Sequence, residues 1–282
     1  MKYECHGHIM ADSNSYNNAA ALHKNGPDMA HIHASLAALR ENDVGYFRDG
    51  GDRFGVSLEA KRLALQYGID YVTAGFIICR AGYYGSMYGF TYRDMTEARE
   101  LILRAKNIGA DFIKTTVSGM LDFSGNGGVM GPSTDFDELC ELVKIANGEG
   151  LQVMAHCNGA KNIKNALSAG ITSLEHGFWS DGECIEMLRE TKTFWVPTCA
   201  PVKNVIGCGK FNDTALSEIL EQQFMALKKA AETGVRIAVG SDCGAHLVPH
   251  GKGTDDEYAI LESLQIDTET TNYELAAAFR KK

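Results

Sequence analysis

Residues 149–156 read Glu149-Gly150-Leu151-Gln152-Val153-Met154-Ala155-His156. A glycine suited to the left-handed conformation stops a helical pattern, a short apolar run follows, and a histidine stands where the run ends. The same helix-to-strand joint recurs at Ile108-Gly109-Ala110, Ala169-Gly170-Ile171 and Thr233-Gly234-Val235. Between the joints, short β-rich segments alternate with amphipathic helical patterns such as 30–39, 135–147 and 214–233. This alternation implies parallel strands joined by crossover helices. Strands are predicted near 3–8, 44–49, 70–75, 111–116, 151–156, 171–175, 193–197 and 235–241. Eight such units favour an α/β fold closed as a (β/α)8 TIM barrel over an open doubly wound sheet, and no G-x-G-x-x-G follows the first strand to suggest a dinucleotide site.

The chain has 282 residues, 45% of them hydrophobic and 22% charged, which is the composition of a globular protein with ample core. Barrels of about 250 residues form one domain, so residues 1–282 are expected to be a single barrel. A formal net charge of −9, with no run of lysines or arginines, argues against nucleic acid as a partner. No apolar stretch approaches the roughly 20 residues that span a bilayer, and Met1-Lys2-Tyr3-Glu4-Cys5-His6 lacks the apolar core of a signal peptide, so a cytoplasmic protein is expected, with no membrane partner. Eight cysteines without CxxC pairs read as reduced thiols. Cys157 and Cys243 each follow a candidate ligand, but alternation along a strand points them away from it.

His6 and His8 are one residue apart on the first predicted strand, so both side chains lie on one face, the barrel interior at the strand's carboxyl end. Two imidazoles there can share a metal. The spacing alone says little: His31 and His33 repeat it inside a helical pattern, where it puts them on different faces, and they read as surface or core residues. More weight comes from the other strand ends. His156 ends the fifth strand, His176 follows Thr172-Ser173-Leu174-Glu175 and Asp242 follows Ile237-Ala238-Val239-Gly240-Ser241. A buried structural histidine explains any one of them. Five polar residues at four strand ends of one barrel face need a shared cause, because such a cluster is costly to desolvate without a cation. Lys114 ends Asp111-Phe112-Ile113-Lys114. A lone lysine there reads as a salt-bridge partner or an anion-binding group, and beside a metal its ammonium needs neutralising.

In order and wording this set resembles the amidohydrolase superfamily, in its imidazolonepropionase-related and prolidase-like branch. The resemblance is carried by His6-Gly7-His8, Phe112-Ile113-Lys114 with Ser118-Gly119, Ala155-His156-Cys157-Asn158-Gly159, Leu174-Glu175-His176-Gly177 and Val239-Gly240-Ser241-Asp242, and runs from about residue 3 to about residue 264. It implies that carbon dioxide carboxylates Lys114, making a carbamate that bridges two divalent metal ions, zinc being the expected metal. His6 and His8 would hold the more buried ion, His156 and His176 the outer one, and Asp242 would touch the first while facing a bridging hydroxide. The implied chemistry is hydrolysis of a C–N bond in an amide, cyclic amide or peptide-like small molecule. A metal lowers the pKa of bound water and polarises the scissile carbonyl. Asp242 would take the water's proton and pass it to the leaving nitrogen.

The match departs from the family in three places. Relatives carry a small β-sandwich built from segments around the barrel, whereas here the His-x-His begins at residue 6; a bare barrel is expected, with surface open to self-association as a homo-oligomer. Where dipeptidase-like relatives often have a tyrosine two residues after the fifth-strand histidine, this chain has Asn158, which can donate to an oxyanion or simply make a turn. Their Gly-Gly-His-Gly run is replaced by Ala81-Gly82-Tyr83-Tyr84-Gly85. Peptidase specificity therefore does not transfer.

The long glycine-rich loops 79–92 and 120–133 follow the third and fourth strands and should sit at the catalytic mouth. In the first, Arg80, Tyr83, Tyr84 and Tyr88 suit a substrate with a flat ring or a carboxylate, or form a lid. His246 and His250 follow the eighth strand, within reach of the mouth, and His250 is the next candidate for proton transfer after Asp242. A metal-dependent lyase, decarboxylase or C–C hydrolase is the alternative on the same site, and the reaction product separates them. A barrel that only binds metal or ligand would not need the proton-transferring Asp242.

Overall fold

The computed structural model describes residues 1–280. Its strands are β1 (Lys2–Gly7), β2 (Val44–Asp49), β3 (Asp70–Thr73), β4 (Ile77–Arg80), β5 (Gly89–Tyr92), β6 (Ile113–Thr116), β7 (Val153–Cys157), β8 (Ser173–His176) and β9 (Phe194–Val196). They pair in parallel, in the orders β1-β2-β3 and β5-β4-β6-β7-β8-β9. The third barrel strand is split: β3 pairs with β2, and after a break at 74–76 β4 pairs with β6. Gly75, at a φ of 71°, supplies the left-handed residue of that break.

Hydrogen bonds join the two sheets into a ring of TIM-barrel type. On one side the Asp111 amide donates to the Thr73 carbonyl at 2.8 Å. On the other, segment 235–243 lies between β9 and β1. It accepts from Trp195 N at Arg236 O (2.8 Å) and from Cys5 N at Val239 O (2.9 Å), and donates from Asp242 N to His6 O (2.7 Å). The predicted eighth strand, 235–241, thus sits in the expected place within segment 235–243, which is held by isolated bridges, Trp195 to Ile237 and Gly7 to Cys243. Asp242 turns out of the extended conformation at a φ of 54°, which stops a regular ladder. The predicted loop 79–92 is also corrected, because its ends are the strand residues of β4 and β5. Ile77-Ile78-Cys79-Arg80, three apolar residues and an arginine, is too short to show a period.

The apolar residues form two layers. Cys5, Tyr46, Val72, Phe112, Met154 and Ala238 pack inside the barrel with Leu275 and Phe279 of the helix Glu269–Phe279, which plugs its floor. The larger cluster lies between strands and helices, for example Ile32 and Leu36 of the helix Met29–Glu41 and Leu139 and Leu142 of Phe136–Gly148. Asp28, Asp135 and Asn212 each cap the helix that follows, accepting backbone N–H groups. Among the described residues no helix is long and apolar enough to cross a membrane.

Gly240 sits on the closing seam, where an added Cβ would fall 2.4 Å from Val196 Cγ1 and 2.8 Å from His6 N. Overpacking of this kind costs about 1–3 kcal/mol. Gly240→Ala is expected to lower the calorimetric melting temperature by several degrees, and an unchanged midpoint would show that the seam has room to spare.

Candidate metal centre

All six predicted ligands converge at the carboxyl end of the barrel. His6 lies in β1, facing inward, and His8 one residue beyond it. Their Nε2 atoms are 3.5 and 3.7 Å from Asp242 Oδ1. The ligand atoms of these three residues all lie within 4.8 Å of one another, a spacing that one ion can occupy. The ring of His176 is 5.0 Å from that of His6 and 4.4 Å from that of His156. Lys114 does not end its strand, since β6 continues to Thr116. It is buried, and its Nζ has no hydrogen-bond partner.

The electrostatics suit a cation-binding site. Burial, with Lys114 close by, pushes His8 and His156 down to about 3 and holds His6 well below the ordinary histidine range. His176 is lowered likewise by burial and by His156. All four imidazoles are thus neutral, the state that offers a lone pair. Burial raises the Asp242 carboxyl to about 6 and lowers the Lys114 amine to about 8, the latter opposed by Glu175 and Asp242. Four neutral imidazoles, one carboxylate and an orphaned buried amine fit divalent metal, which would give the stranded polar atoms partners.

The sequence did not disclose what orients these ligands. His6 Nδ1 lies 2.6 Å from Glu175 Oε2, and Glu175 is gripped in turn by Arg48, whose Nη2 donates to both carboxylate oxygens at 2.9 and 3.0 Å. Arg48 and Glu175 are both 0% exposed. His176 Nδ1 lies 2.6 Å from Thr198 Oγ1, and His156 Nε2 is 3.1 Å from the Gly119 carbonyl. Such partners fix the ring and leave its other nitrogen for the metal. His176, Thr198 and Asp242 have positive φ of 70°, 49° and 54°, a strain that clusters at functional sites. The one available sequence signal was a charged residue inside each apolar strand, Arg48 in β2 and Glu175 in β8.

Two cavities, of about 460 and 390 Å³, meet at His156, His176 and Asp242. Asn158 borders the larger; its Oδ1 accepts the Phe178 amide at 3.1 Å. Tyr84 and His246 border both, and Tyr88 borders the smaller, stacked on His8 at 5.5 Å. The remaining predicted contacts lie elsewhere. Arg80 pairs with Glu138 at 2.6 Å, and neither it nor Tyr83 lines either cavity. His250 lies behind His8, its Nε2 3.2 Å from the His8 carbonyl. Cys157 and Cys243 are buried, with thiols pushed well up by burial, the opposite of a thiolate ligand.

The sequence profile of the Amidohydrolase family matches residues 53–277, a span that holds Lys114, His156, His176 and Asp242. The chain belongs to the amidohydrolase family. Within that family it is similar to the ochratoxinase of Aspergillus niger, 29% identical over 171 residues, which is 58% of this chain and 35% of that protein. This amidohydrolase-family chain thus spans about a third of the length of the curated relatives it matches. Its fold is shared with a Xaa-Pro dipeptidase crystallised with methionine in the active site (TM-score 0.79, 21% identity, 98% of this chain and 74% of that one). The Aspergillus niger ochratoxinase structure gives a TM-score of 0.76 at 21% identity, covering 96% and 68% of the two chains. A molinate hydrolase gives 0.68 at 14% identity, covering 98% and 70%.

Glu175→Gln would leave the Arg48 guanidinium buried without its counter-charge, a loss that costs about 3–5 kcal/mol when a buried pair is broken. The variant is expected to lose stability on that scale in denaturant titration and to bind metal more weakly. Parent-like stability would show that Arg48 finds its compensation elsewhere.

Proposed function

We propose that this chain hydrolyses the C–N bond of an amide or cyclic amide in a small molecule, with two divalent metal ions held by His6, His8, His156, His176, Asp242 and a carboxylated Lys114. The observation that carries the proposal is the convergence of four neutral imidazoles, a carboxylate and an unpartnered amine where two cavities meet. Membership of the amidohydrolase family supports it, as does the fold shared with a Xaa-Pro dipeptidase. Zinc suits imidazole-rich sites. Bound divalent ions would supply an activated water near neutral pH and polarise the scissile carbonyl.

The chain's own groups do the rest. With its amine lowered to about 8, Lys114 is neutral in part at physiological pH, and the neutral amine adds to carbon dioxide, releasing a proton and leaving a carbamate anion. Asp242, facing His6 and His8, takes the proton of the attacking water and returns it to the leaving nitrogen. Asn158 has its oxygen tied to the Phe178 amide, so its NH2, 3.5 Å from His156 Nε2, is the end that can donate to a developing oxyanion.

The cavity walls differ in character. Leu121, Phe123, Met130, Phe178, Val205 and Phe211 line the larger, with the Phe123 and Phe211 rings edge to face at 5.7 Å. Tyr16, Tyr88 and Lys210 line the smaller. One side of the scissile amide is accordingly an uncharged apolar group, and the other is polar or anionic.

Metal analysis of the purified chain is expected to find about two divalent ions, the count needed by a dinuclear hydrolytic site. Asp242→Asn should keep most of that metal while losing about 10²- to 10⁴-fold in rate, the usual contribution of a general acid–base. Turnover close to the parent's would make Asp242 a ligand only. Val205→Trp, which fills the apolar cavity, should cut kcat/KM for an aryl amide by tenfold or more while sparing the acetyl analogue, since specificity here is a matter of fit. An equal loss for both substrates would remove the cavity's assigned role.

A further inference from the structure

His8 is held differently from the other ligand histidines. His6, His156 and His176 each have a ring nitrogen engaged, by Glu175, the Gly119 carbonyl and Thr198. His8 Nδ1 is buried and makes no hydrogen bond of good geometry, with only the Gly51 backbone close enough to act on the ring. Residue 8 also lies past the end of β1, where the seam reaches it by one last bond, its amide donating to the Cys243 carbonyl at 2.9 Å. The ring is packed against Gly50, whose added Cβ would fall 2.4 Å from His8 Cε1, and stacks on Tyr88. That packing limits the swing of the ring without fixing the backbone that carries it.

Beyond that bond, the carbonyls of this backbone are met by a row of histidines. His250 Nε2 is 3.2 Å from the His8 carbonyl, His31 Nε2 is 2.8 Å from the Ile9 carbonyl, and His23 Nε2 is 3.1 Å from the Met10 carbonyl. Three imidazoles therefore meet three successive carbonyls. Their rings stand edge to face, 5.2 Å apart between His23 and His31 and 6.2 Å between His31 and His250. From another side Asp49 Oδ2 accepts the Ile9 amide at 3.0 Å, so this turn is gripped through both kinds of backbone group. A carbonyl only accepts, so each Nε2 must carry a hydrogen. At His23 the tautomer is set independently: the Asp28 amide donates to Nδ1 at 3.0 Å, which leaves the hydrogen on Nε2.

We infer that His23, His31 and His250 are positioning residues, a row of ring N–H donors that fixes the turn at residues 8–10 and so places His8 at the metal centre. The link to metal rests on the proposed metal-dependent function; the clamp on the backbone does not.

Two measurements separate them. His31→Leu removes the middle donor and keeps the bulk, and His31→Gln restores a donor. His33→Leu is the control, since it lies on the same helix and loses a 2.7 Å bond to the Tyr67 hydroxyl without touching residues 8–10. Amide hydrogen exchange at residues 8–11 of the metal-free chain reads the clamp, and Zn2+ competition with a chelator reads its consequence. His31→Leu is expected to exchange faster there and to bind Zn2+ about 10- to 100-fold more weakly, the usual effect of losing an outer-shell partner. His31→Gln should recover most of both, and His33→Leu should alter neither. Unchanged exchange in His31→Leu overturns the clamp. Faster exchange with parent-like Zn2+ affinity overturns its link to His8. A parent chain that takes up no Zn2+ overturns the metal-dependent reading and that link together, while exchange still decides the clamp. Should His31→Leu fail to fold, His250→Leu and His250→Gln are compared in the same two measurements.

Discussion

The buried pair of Arg48 and Glu175 is the constraint on which the rest of the barrel depends. Arg48 Nε donates to the Cys5 carbonyl at 2.5 Å and Nη1 to Ser173 Oγ at 2.8 Å, while Nη2 binds Glu175. One side chain on β2 therefore ties β1 to β8 across the barrel interior. Burying two charges is expensive, and a well-packed apolar pair of similar volume is often as stable. What the ion pair contributes here is arrangement. It admits one facing of these three strands, and through Glu175 it orients the first ligand histidine.

The same logic extends outward. Glu4, raised to about 7 by burial, accepts from the His6 and Ser241 amides and the Ser241 and Thr254 hydroxyls, and so ties β1 to the segment that carries Asp242. The imidazoles of the candidate centre are neutral, whereas the ion pair that aims the first of them sits one layer deeper. Strained backbone at His176 and Asp242 is held in place by these deeper bonds and by the seam.

The candidate ligands were legible in the sequence because each stands at or near the carboxyl end of an apolar run, where alternation and barrel geometry decide its direction. Their partners were not. A charged residue inside a strand, such as Arg48 or Glu175, announces that it needs compensation but not by what, since its partner lies on a strand more than a hundred residues away. Thr198 left no signal at all. The split of the third strand was hidden by the brevity of β4 and β5. His31 and His33 do fall on different helix faces, as their spacing requires: one reaches the Ile9 carbonyl and the other the Tyr67 hydroxyl. That the first of them takes part in a row with His23 and His250 is a tertiary fact, which no local pattern encodes.

The plugged floor of the barrel bears on the order in which the protein matures. Phe279 lies against the Arg48 guanidinium, 4.3 Å from ring centroid to carbon, and Leu275 joins the same inner layer. His6 and His8 are made first by the ribosome, yet the residues that seal the charges beneath them are made some 270 residues later. A nascent chain thus holds its first two ligands long before it has a dry interior to aim them. If the proposed centre takes metal, its capture would belong to the end of biogenesis, after the helix Glu269–Phe279 has docked, and a partly made chain would carry imidazoles without a centre.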